Sequence, residues 1–153
     1  MVEFALVAPL GFLLFISVLV VGIVVTNYIQ LGNDAREGAR IAAICGSNQA
    51  AQIPDGSGLA CTGPNLSAYI TGQLVSLPAG SVTPQISVIS GSSSCPLTGP
   101  NVLVTCHCQL GSIVQVTMSY SQPLYFPLLS NVFESNPNGT ILLSASAEAT
   151  CES

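Results

Sequence analysis

The residues of this 153-residue chain best equipped for chemistry are six cysteines, a single histidine and seven carboxylates. Cys106, His107 and Cys108 are consecutive and offer soft ligands to a metal. A structural zinc site needs four such ligands, usually from CxxC pairs, and no second pair follows. The even set Cys45, Cys61, Cys95, Cys106, Cys108 and Cys151 lies among Gly- and Pro-rich segments instead, which points to disulfides in an oxidising compartment. Position suggests a working set of pairs. Cys45 and Cys61 bracket a loop that a bridge would tie down. If strands 85–90, 112–121 and 140–149 pair antiparallel around the middle one, Cys151 comes near Cys108, which leaves Cys95 for Cys106.

Catalytic constellations are missing from the pattern. The histidine stands between two cysteines, and neither a GxSxG elbow nor a phosphate-binding loop occurs. Asp55, Glu134 and Glu148 stand too far apart to read as a paired acid and base. Asp55, in IPDGSG, reads as a turn residue. Asn65 and Asn138 stand in N-x-S/T sequons, which permit glycosylation where the machinery exists. The expectation is a protein that is not an enzyme and that carries no cofactor and no metal.

Charge narrows the options further. Only 6% of residues are charged, there is no lysine, and the formal net charge is −5. Phosphate binding depends on arrays of Lys and Arg, so nucleic acid is not an expected partner. So sparse a surface opposes self-association weakly. The chain reads as one built to assemble.

Four charged residues crowd into NDAREGARIAAICG, residues 33–46, directly behind a stretch that has none from Phe4 to Asn33. Phe4 to Val25 is almost wholly aliphatic or aromatic and exceeds the roughly 20 residues that span a bilayer as a helix. In lipid the backbone must satisfy itself, so a lone span is helical. Pro9 removes one helical hydrogen bond and should bend the helix near its start. A secretory signal would carry basic residues before a shorter apolar run, whereas Glu3 stands in that place. The expectation is a mature chain from which a basic leader has been removed.

Helical periodicity continues beyond the span. Tyr28, Leu31, Ala35, Ala39 and Ala42 recur at three- and four-residue spacing as one apolar face. Arg36 and Arg40 share another, and Glu37 can pair with Arg40 at i, i+3. From Phe4 to Ile44 the helix would run about 60 Å at 1.5 Å per residue, with Gly46 as a stop.

The stretch VEFALVAPLGFLLF, an acidic first turn followed by a proline, together with NDAREGARIAA, resembles the TadE-like family of pilins and pseudopilins. These are relatives of type IV pilins found in tight-adherence pilus systems. The likeness is close over about the first 44 residues, and GTILLSASAEATCES is loosely similar to the closing strand of that family. The resemblance implies that Glu3 neutralises the free amino terminus of a neighbouring subunit or of its own chain. Most type IV pilins carry the acid at the fifth position of the mature chain, whereas Glu3 is third here. Either the true amino terminus lies two residues upstream, or the register of this contact differs. The resemblance also implies a prepilin peptidase and a pilus assembly machinery as partners.

From Cys45 onward the composition changes. SNQAAQIPDGSG, GSSSCPLTGPN and SNPNG read as loops, while residues 85–90, NVLVTC, SIVQVTMSYS and TILLSASAEAT read as strands. Val114, Val116, Met118 and Tyr120 alternate with polar residues. A short helix is expected from Leu66 to Val75, capped by Asn65. The fold class is therefore α+β. A long amino-terminal helix, residues 1–44, packs against a small antiparallel head of three or four strands, residues 45–153, tied by disulfides.

Two functions fit. In one, the chain is a structural subunit whose helices bundle into a filament, membrane-inserted before assembly and extracellular after it, for adhesion. In the other, a membrane-held minor pseudopilin or adhesin acts in few copies. Closely packed helices need small residues where backbones approach. Gly11, Gly22, Gly32, Ala35, Gly38, Ala39 and Ala42 supply them. Under the filament reading residues 33–44 form a collar in which these small residues face other copies, so Glu3, Pro9, Arg36, Glu37, Gly38 and Arg40 are the candidate assembly residues.

Overall fold

The computed structural model describes residues 2–47, 52–54, 56–75, 77, 81–89, 111–123 and 140–151. It has the expected α+β architecture. One helix, α1, runs from Val2 to Ser47. It continues unbroken through Pro9 and ends at Ser47, one residue beyond the expected stop at Gly46. A second helix, α2, covers Gly63–Gly72. Three strands follow: β1 Val82–Val88, β2 Ile113–Pro123 and β3 Thr140–Thr150. They form one antiparallel sheet in the order β1-β2-β3.

The register puts the alternating set of β2 on the inner face. Val116 lies between Ile86 and Ala147, and Tyr120 between Val82 and Leu143. Val114, Val116 and Met118 are completely buried. Because side chains alternate along a strand, the opposite face takes Gln115, Thr117 and Ser119. The segment 101–106, expected as a strand, lies outside the described residues. β1 begins three residues earlier than expected, and Pro84 is tolerated there because β1 pairs on one side only among the described strands.

Helix α1 lies across β2 and β3, and α2 packs next to α1 and β1. The inner face of β3 carries Leu143, Ala145, Ala147 and Ala149. Three alanines in succession let the helix approach the sheet closely. From the helix side Leu31, Ala35, Ala39, Ile41 and Ala42 enter the same core, joined by Leu66 and Ile70 of α2. The second half of α1 thus shares the core of the head.

Helix α2 starts and ends earlier than the sequence pattern indicates. Its cap is Thr62, whose hydroxyl accepts from the Asn65 backbone N–H at 3.4 Å. Pro64, in the first turn, has its φ preset for a helix. Val75, expected as the last helical residue, is 90% exposed beyond the helix. Between the helices a loop returns on itself through the Gln52–Ala60 bridge. Gly56 and Gly58 adopt positive φ there, a conformation costly for other residues. The Cys45–Cys61 disulfide closes this loop against the end of α1, as expected.

Candidate functional site

Two faces of α1 meet different surroundings. Asn27, Leu31, Ala35, Gly38, Ala42 and Cys45 follow one another at three- and four-residue steps, and all are buried against the head. On the far side Gly11, Val18, Gly22, Ile29, Arg36, Arg40 and Ile44 follow at steps of four or seven, about one or two turns, and all are exposed. The head covers one side of the helix from about Val24 upward. Below that, the helix is bare: Phe12 is 69% and Val18 67% exposed.

The glycines separate along the same line. A Cβ on Gly38 would come within 2.9 Å of Ile70 Cδ1 and 3.5 Å of Val116 Cγ1. At Gly11, Gly22 and Gly32 it would meet nothing within 4 Å. This corrects the collar expectation. Gly38, Ala35, Ala39 and Ala42 are small because their own sheet and α2 press against them, and they are not available to other copies. Tyr28, assigned to the same apolar face by spacing, is instead 54% exposed. It lies on the rim, because the buried stripe is centred nearer Asn27 and Leu31.

The charged residues occupy the uncovered side. Arg40 donates from Nη2 to Glu37 Oε1 at 2.9 Å and from Nε to Glu37 Oε2 at 3.2 Å. The i, i+3 pair anticipated from spacing is formed. Arg36 is exposed and stands on the wall of a groove between α1 and β3. That groove, about 410 Å3, is lined by Tyr28, Ile29, Gly32 and Asn33 from the helix and by Ser144–Ser146 from the strand. A second groove farther along the same two elements includes Arg40, Ile44 and Thr150.

The sequence reading missed one polar contact. Asn27 Nδ2 donates to Gln122 Oε1 at 2.5 Å, and both residues are buried. Burying an amide without a partner is costly, so the pair fixes where the end of β2 sits on the helix. The signal was present in an asparagine within an apolar run, but its partner is 95 residues away in the sequence.

Other candidates are dispersed. Glu3 stands in the first turn of α1, and its side-chain surroundings lie outside the described residues, as do Cys95, Cys106, His107, Cys108, Asp55, Glu134 and Asn138. Cys151 is disulfide-bonded, to a partner outside the described residues. Asn65 is committed locally: its Nδ2 donates to the Ala60 carbonyl at 2.9 Å. Glu148, on the outer face of β3, accepts from Gln115 Nε2 at 3.2 Å.

Residues 1–40 match the family model described as TadE-like protein. Searches of curated proteins and of solved structures returned no match. From Val2 onward the matched residues lie within α1, and the resemblance drawn from VEFALVAP and NDAREGARIAA agrees with the match. The helix is also long and apolar enough, over Val7–Gly46, to cross a membrane.

Proposed function

We propose that this chain is a structural pilin subunit. It inserts in the membrane through the bare half of α1, and after processing by a prepilin peptidase and export by the pilus machinery it polymerises into an extracellular Tad-type filament used for attachment. The observation that carries this reading is the division of α1 into two faces. One face is filled by the head, while the other, bearing Gly11, Gly22 and Ile29, is uncovered from the bare half up beside the head. A helix that only anchored a monomer would need apolar character alone. Open glycines along one uncovered face provide for the close approach of other helices.

On this reading the head forms the outer shell and contributes no catalysis. The Cys45–Cys61 bridge suits an oxidising exterior. Electron microscopy of sheared surface material, with mass spectrometry of its main band, tests the proposal. Filaments built mainly of this chain are expected. Finding the chain in the membrane fraction alone, in few copies and with no filament, would overturn the reading in favour of a minor pseudopilin.

A further inference from the structure

We propose that Arg36 receives the Glu3 carboxylate of a second copy of this chain, stacked in parallel along the helix axis. The inference rests on the pilin reading and names the contact that would join its subunits. The 153 residues include no lysine and only two arginines, Arg36 and Arg40, and both lie on the uncovered face. Arg40 is committed in two hydrogen bonds to Glu37 of its own chain. Among the described residues Arg36 has no hydrogen-bond or ion-pair partner, and it opens into the groove beside Tyr28, Ile29, Gly32 and Ser144. Covered by a neighbour without an anion, its guanidinium would be a desolvated charge with nothing to offset it.

The acids of the chain narrow the choice. Glu37 is taken, and Glu148 accepts from Gln115 on the outer face of the sheet. Asp34 is two residues from Arg36, more than half a turn around the helix, so it is out of reach of Arg36 in its own chain, and it is half-buried on a side other than the one that carries Arg36. Asp55 and Glu134 are set in IPDGSG and ESNPNG, neither leading into a helix-forming apolar run, and Glu152 directly follows the disulfide-bonded Cys151. Glu3 leads into the apolar run 4–25, which in a parallel copy continues from Arg36 toward the second groove, whose helical wall carries Arg40, Ala43 and Ile44. A carboxylate at the edge of such a run is itself costly unless paired. The two residues are 33 positions apart on α1, about 50 Å along the axis at 1.5 Å each. A parallel copy displaced by that length brings its Glu3 level with Arg36 and runs its helix on past Ile44. This partner differs from the free amino terminus implied by the family resemblance.

The experiment measures filament yield from cells expressing the full chain with Arg36→Gln, Glu3→Gln, or both. Intact heads are verified by the Cys45–Cys61 bridge and by protease resistance. Each single variant leaves one charge unpaired in the assembly and is expected to lower yield at least about tenfold, whereas the double variant leaves none and should recover to within about threefold of the parent. Parent-like yield from Arg36→Gln would overturn the inference and favour the amino terminus as the partner of Glu3, with the pilin reading left standing. A double variant no better than the singles would overturn it equally. If the parent chain itself forms no filament, the pilin reading falls and this inference falls with it.

Discussion

Gly22 and Gly38 lie on the same helix, four and a half turns apart, and do opposite things. Around Gly38 there is no spare room, because Ile70 and Val116 occupy the space a side chain would need. Around Gly22 there is open space. Sequence composition treats the two alike, as small residues in a long helix. The difference teaches that the upper half of α1 has already used its small residues to fold the head. The lower half, and the uncovered face above it, leave theirs open, which is the space the proposed assembly would use.

The strongest test of this contrast removes the clamp at the covered end. Replacing Cys45 and Cys61 together by Ser opens a loop whose ends are 16 residues apart. A bridge over a loop of that length contributes about 3 kcal/mol in the chain-entropy account. Thermal unfolding of the full chain in detergent, followed by near-ultraviolet circular dichroism, should show a head that melts well below the parent while the apolar helix stays micelle-bound. An unchanged melting temperature would mean that the packing of α1 against the sheet holds without the bridge.

The glycines themselves come next. Gly38→Leu overpacks the core, which costs typically about 1–3 kcal/mol, and the better helix propensity of Leu offsets about 1 kcal/mol of that. The head should lose stability measurably. Gly22→Leu should leave head stability within experimental error and suppress filaments. The comparison breaks if Gly38→Leu is silent in thermal unfolding, or if Gly22→Leu polymerises like the parent.

The smallest effect is expected at the lower limit of the head. Asn27→Ala leaves Gln122 Oε1 without its donor, for a loss of about 1 kcal/mol, near the low end for a buried unsatisfied group. Hydrogen exchange should then quicken at residues 120–123 before it changes near Val114. Uniform quickening along β2 would show that the pair stabilises the whole head and not its lower margin.

Much of this architecture is legible without coordinates. An apolar run longer than a bilayer requires α1, and period-two alternation from Val114 to Tyr120 requires a half-buried strand. The placement of Glu37 three residues before Arg40 was enough to anticipate their pairing, because i, i+3 neighbours on a helix adjoin whatever the rest of the chain does. Cys45 and Cys61 were read as partners for a similarly local reason. The start of α2 was misread because Asn65 and Thr62 are both good caps, and the choice fell to Pro64, whose ring fits the first turn.

What the sequence by itself determined is therefore everything governed by local spacing: the long helix, its amphipathic upper half, the alternating strand and the charges gathered at residues 33–46. Only the tertiary structure decided which side of α1 the sheet would take. Small residues occur around much of the helix, and periodicity cannot say whether a glycine is small for its own chain or for another. That assignment follows from Ile70, Val116 and the alanines of β3, which reach α1 only when strands far away in sequence pair in register. Contact across such separations depends on the whole packed core, and a window of a few turns does not contain it.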